Sequence, residues 1–214
     1  MFLVARAENF ARSNKLSLIS LSPNASGTGV FTVASPNSNV DRVLTLPDES
    51  GTVDTLQRSG NIIQVVNTTY TGTFSQTISS NTKINNVQAS ITPTSTSSKI
   101  LIMCHVFFEG DTSDHDFGWF LYRDSTLLRA PPDGSRIPVI AMAGQGYFDN
   151  NSDSTPTTVA IHYFDTPNTT SEITYAPATY HASGTIYINR TVADSNTVVY
   201  ERGISSITLM EIVG

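Results

Sequence analysis

Apolar and polar positions alternate in short runs over most of this chain, and clusters of turn-forming residues break the runs. In Gly184-Thr185-Ile186-Tyr187-Ile188-Asn189, Ile186 and Ile188 share one face while Thr185, Tyr187 and Asn189 share the other, the period of a strand covered on one side. Runs at 62–66, 99–108, 117–122, 159–164, 184–188 and 207–212 read as strands. Between them lie Pro93-Thr94-Ser95-Thr96-Ser97-Ser98, Pro131-Pro132-Asp133-Gly134, Asp149-Asn150-Asn151-Ser152-Asp153 and Pro167-Asn168-Thr169-Thr170, which read as turns. No sustained 3.6-residue period follows residue 15. Many short strands spaced by turns predict an all-β, antiparallel β-sandwich of the jelly-roll kind over 61–214.

Upstream the pattern shortens. Leu3, Ala7, Phe10 and Ala11 can share one helical face, so a short helix is expected over 2–11, either as an anchor or as a frayed terminus. Residues 16–60 carry apolar stretches of only three to six residues, at 16–21, 30–33 and 43–46, divided by Ser/Pro/Asn/Gly clusters. Ser26-Gly27-Thr28 is echoed 24 residues later by Ser50-Gly51-Thr52, a hint of a repeat. Strands this short in a segment of this length bury too little surface to close a core. Identical chains would supply the missing neighbours, so the expectation is a homotrimer with an anchor over 1–15, an intertwined β shaft over 16–60 and a sandwich head over 61–214.

Composition agrees with strands joined by polar turns. Ser and Thr supply 54 of the 214 residues, against three lysines and six glutamates. Net charge is −6 with no basic cluster, so the electrostatic footprint of a nucleic-acid binder is missing. No run approaches the ~18 apolar residues of a membrane span, and the apolar stretch at the N-terminus is too short for a signal peptide. Cys104 is the single cysteine; it sits within an apolar run, where burial is expected, and no intrachain disulfide can form. The Asn-x-Ser/Thr triplets at Asn67, Asn168 and Asn189 carry no functional weight in so Thr- and Asn-rich a chain.

The segment Asp41-Arg42-Val43-Leu44-Thr45-Leu46-Pro47-Asp48-Glu49-Ser50-Gly51-Thr52-Val53 resembles one found in tail-fibre-like structural proteins of tailed bacteriophages, of the cyanophage and marine-phage type. Residues 62–66 and 89–102 resemble the opening of the C-terminal domain of such proteins, and 205–212 its last strand. The resemblance covers about half of the chain. It implies a non-enzymatic virion protein whose N-terminal region joins other tail or capsid proteins and whose head contacts a host-surface glycan. The shaft is short for a tail fibre, so the alternative is a capsid fibre, decoration or connector protein with no receptor role. The chain also lacks the His-x-His pair of metal-threaded fibre tips.

Candidate chemistry is sparse. Glu109-Gly110-Asp111-Thr112-Ser113-Asp114-His115-Asp116 gathers four acids and a histidine; its oxygens could hold calcium, but the spacing fits no EF-hand, and a solvated hairpin tip is the expectation. Acids at other loop positions (Asp149, Asp153, Asp165, Asp194) would allow a glycosidase pair to be nominated, as any Asp-rich surface would. His105 must face away from its neighbour Cys104, which removes zinc and Cys-His chemistry, and neither a Gly-x-Ser-x-Gly elbow nor a phosphate loop is present. Neither a catalytic residue, a cofactor nor a metal site is expected. Trp119 is assigned to packing, while Tyr147, Tyr175 and Tyr180, beside loops, are the aromatics expected at the surface. The ligand-binding candidates are therefore head-loop residues that can hydrogen-bond sugar hydroxyls: Asp111, Asp114, His115, Asp116, Asp149, Asn150, Asn151 and Asp153, with Tyr147.

Overall fold

A computed structural model describes residues 26–30, 32, 34, 37–41, 43, 50, 57–111, 116–144, 154–181 and 184–214. The expected helix over 2–11 and most of the expected shaft strands lie outside these residues. Internal contacts divide the chain into two units, Met1–Ser50 and Gly51–Gly214.

The described residues of the second unit are all-β, with twelve strands in two six-stranded antiparallel sheets. In the first sheet β5 (Lys99–Gly110) is central; β9 (Thr157–Asp165) lies along one side of it. Along its other side run β12 (Ser205–Ile212), itself flanked by β1 (Ile62–Tyr70), and then β11 (Thr185–Ile188), flanked by β2 (Phe74–Thr77). The second sheet is built on β6 (Asp116–Arg123) and β10 (Ile173–Tyr180). Its outer positions are taken by β7 (Thr126–Leu128) and β8 (Ala141–Gly144) beside β6, and by β3 (Thr82–Lys83) and β4 (Ala89–Ile91) beside β10.

The alternation that predicts strands also builds the core. Ile100, Ile102, Cys104, Val106 and Phe108 point inward from β5, joined by Ile207 and Leu209, Val159 and Ile161, and Ile186 and Ile188 from its neighbours. Phe117, Trp119, Leu121 and Tyr175 meet them from the other sheet, with Phe108 edge-on to both Phe117 (5.2 Å) and Trp119 (4.9 Å). Each such side chain contributes about 1.5–3 kcal/mol by leaving water. Cys104 is buried as expected and His105, on the opposite face, is exposed. Burial pushes the Cys104 thiol up to about 12, so the folded chain holds it inert. The Trp119 indole N–H finds no acceptor among the described residues.

Two features run against the sequence reading. Residues 173–180 form a strand that the pattern did not predict, since Ile173-Thr174-Tyr175-Ala176-Pro177-Ala178-Thr179-Tyr180 lacks alternation and contains a proline. Proline survives here because β10 pairs with β4 through 173–175 and with β3 through 178–179, leaving a break in the ladder between them. The Pro177 carbonyl still accepts from the Ile84 N–H at 2.8 Å, so the missing N–H faces that break and no ladder bond is lost. Tyr175, expected at the surface, is fully buried, and Tyr180 is half-buried.

Strand directions set the two ends of the sandwich. The chain enters β1 beside the last strand, where Gly60 N donates to Val213 O and Val213 N to Asn61 O, both at 2.9 Å. That entry end also carries the 92–98 turn and the β9–β10 connection. At the opposite end lie the β1–β2 and β11–β12 connections and the strand ends Gly110, Asp116, Gly144, Thr157, Tyr180 and Thr185.

Candidate functional site

The two loops nominated from sequence leave neighbouring strands at the end away from chain entry. Asp116 opens β6 and pairs with Gly144, the last residue of β8, so strand ends that bound the two nominated loops are neighbours. Thr185 of β11 adjoins the first of them: its N–H donates to Asp111 Oδ1 at 2.6 Å, and Asp111 N–H donates to Thr185 O at 3.0 Å. Asp111 is exposed, yet one carboxylate oxygen is committed to the fold. His181, at the start of the β10–β11 connection, is buried and stacks on Phe117 at 4.8 Å. Asp114, His115, Tyr147, Asp149, Asn150, Asn151 and Asp153 lie outside the described residues, as does the Asp116 side chain. Among the described residues there is no group of three or more His, Cys, Asp and Glu side chains able to hold a metal ion.

The 189–204 connection completes this end, and the sequence gives it no functional weight beyond naming Asn189 and Asp194. Asn189 organises it from a left-handed backbone (φ 60°). Its buried amide donates to Tyr70 O (2.7 Å) and Gly72 O (2.9 Å) and accepts from Ser205 Oγ (2.7 Å). An Asn189 so enclosed cannot carry a glycan in the folded chain. Asp194 pairs with Arg190 at 3.0 Å and with Arg202, and the Arg190 guanidinium lies over the Tyr187 ring at 4.6 Å. Between Asp194, Asn196, Tyr200, Glu201 and Arg202 is a shallow polar cleft of about 180 Å³. Val198 and Val199, in the same connection, are exposed.

No protein-family model matches the sequence, and no curated protein matches it. Solved structures of infectious bursal disease virus do match in part. The structure of the Gt strain shares 14% identity over 81% of this chain and 47% of that chain, with a TM-score of 0.35. The Gx strain gives 14% identity, 79% and 45% coverage and a TM-score of 0.33. The crystal structure of the virus's VP2 subviral particle gives 13%, 81%, 46% and 0.33. The chain spans about half the length of these proteins, and likeness at this level says nothing of function.

Three buried carboxylates could serve as acids or bases if they were free, and each is committed to structure instead. Glu109, placed in the acidic loop by the sequence reading, is a strand residue with no exposure. It accepts from Thr155 N (2.5 Å), Thr155 Oγ1 (2.9 Å) and Val192 N (2.7 Å), tying two connections to the end of β5. Asp165 accepts from Arg123 Nη1 at 2.8 Å and from the Tyr175 hydroxyl at 2.6 Å. Burial, reinforced by the Asp165 carboxylate, holds the Tyr175 phenol well above its usual range. Glu211 accepts from Thr94 N (2.6 Å), Thr94 Oγ1 (2.8 Å) and Ser98 Oγ (2.7 Å). Burial pushes its carboxyl up, but the hydrogen bonds from Ser98 and Thr94 outweigh this and hold it below the ordinary range. No sequence spacing signals these sets, because their partners lie 10 to 117 residues away.

Proposed function

We propose that the chain is a non-enzymatic structural protein of a bacterial virus: a trimeric fibre, exposed on the virion, whose residues 61–214 form a head that contacts a host-surface glycan. The observation that carries this reading is the 41–53 segment and its placement ahead of an antiparallel sandwich, the order implied by the tail-fibre resemblance. The state of the acids supports a non-enzymatic role. Each buried carboxylate among the described residues is engaged by two or more donors, and general acid–base work needs one within reach of a substrate proton. Trimerisation is supported by the first unit, where the apolar side chains of Val30 and Val43 are 91% and 90% exposed.

Residues 1–15 would attach to another virion protein, 16–60 would space the head, and the loops at the end away from chain entry would meet the receptor. Each sugar contact through Asp111 and its neighbours would be worth about 0.5–1.5 kcal/mol, so recognition would depend on three heads acting together. The test is adsorption of the purified full-length protein to susceptible bacteria and its competition with phage. Binding that is lost when the host glycan is stripped supports the reading. A protein that neither adsorbs nor competes is a capsid fibre or connector, and the receptor role falls.

A further inference from the structure

The outer face of the first sheet is divided in two. Its half nearest the loop end is covered by the chain itself: Gly203 lies on the Phe107 ring, and Glu109 is capped by Thr155 and Val192. No described residue covers the half nearest chain entry. There the register lines up Val65, Met210, Leu101 and Phe164 in one row across β1, β12, β5 and β9. Val65 and Phe164 are 58% and 59% exposed, and Met210 and Leu101 are half-buried. The next row is Asn67, Thr208, Met103 and His162; beyond it come Thr69, Ser206, His105 and Ala160. On the other side Lys99 pairs with Ile212.

We infer that this half-face is where a second copy of the same chain packs against the head. Charge argues for that occupant. The chain carries a net charge of −6, so its copies repel wherever carboxylates face one another. Yet no outward position of these four strands within that half is Asp or Glu; Lys99, His105 and His162 are the titratable groups there. Like chains can meet on this face without burying a repelling acid. Its anatomy fits as well, with an apolar central row flanked by Asn, Thr, His and Lys, the arrangement of core and rim in protein interfaces. Four strands about 4.8 Å apart and seven residues at about 3.3 Å give a planar footprint on the order of 400 Å². Standing side chains add to that, bringing it toward the ~800 Å² per partner of a standard interface. The inference rests on the oligomeric reading above and locates it on the head.

The test is cysteine footprinting of the full-length protein, in which buried Cys104 gives no background. Val65→Cys and Phe164→Cys replace side chains that are more than half exposed, so the fold tolerates them. Ser125→Cys, in the exposed β6–β7 turn of the other sheet, is the control. The expected result is maleimide labelling at least ten-fold slower at positions 65 and 164 than at 125 in the native oligomer, equalising after dissociation. Phe164→Glu should shift sedimentation toward smaller species or lower the dissociation threshold. Equal labelling at all three positions in an oligomer overturns this inference and leaves the trimeric reading standing. A wild-type protein that sediments as a folded monomer overturns both.

Discussion

Removing the Glu211 carboxylate tests whether the last strand is held to the 92–98 turn by charge-assisted hydrogen bonds. In Glu211→Ala, three donors lose their acceptor: Thr94 N–H at 2.6 Å, Thr94 Oγ1 at 2.8 Å and Ser98 Oγ at 2.7 Å. A buried donor left unsatisfied costs about 1–3 kcal/mol. Thr94 is exposed, so water can reach its N–H and hydroxyl, whereas Ser98 is buried; the expected loss is that of one buried donor, about 1–3 kcal/mol. For a chain of this size each kcal/mol moves Tm by about 2–4 °C, so Tm should fall by roughly 2–12 °C. The sign of the pH dependence follows from the depressed carboxyl. A group whose folded pKa lies below its unfolded value stabilises the fold above the unfolded value, near 4.5, and loses that contribution as pH falls through the folded one. Urea unfolding at fixed protein concentration should therefore show a wild-type advantage that is constant above pH 5 and shrinks only below about 4.5. A loss under 1 kcal/mol at pH 7, or an advantage that does not change down to pH 3, would refute the account.

Tyr175→Phe should cost about 1–2 kcal/mol by leaving Asp165 to Arg123 alone, and alkaline difference spectra of wild type against this variant should show no ionisation of Tyr175 until the protein unfolds. Gly203→Ala places a methyl 2.3 Å from Cγ of the Phe107 ring, so the 189–204 connection must lift; faster protease cleavage there with an intact core, by circular dichroism, is the expected result. Glu109→Gln keeps the shape but replaces one acceptor oxygen with a donor facing the Thr155 or Val192 N–H, and amide exchange should quicken at those two positions before anywhere else.

The sequence by itself determined the fold class and most of the long strands. Lys99–Gly110, Thr157–Asp165 and Ser205–Ile212 were legible because a strand covered on one side writes its burial into every second residue, and Asp116–Arg123 because a short apolar and aromatic run is bounded by polar turns. It also placed Cys104 inward and His105 outward, since neighbours on a strand must point apart. Only the tertiary structure decided what lies beneath the polar letters. Tyr175 stands beside a turn in the sequence and in the core in space, because Asp165, itself bound by Arg123, offers its hydroxyl a buried partner. Glu109 reads as part of an acidic loop until Thr155 and Val192 close over it. Ile173–Tyr180 is a strand despite Pro177 because two short strands leave a gap where the missing N–H does no harm. The physical reason is common to all three. Periodicity is a local property of the chain, whereas satisfying a buried polar group depends on donors and acceptors that meet only when distant segments pack.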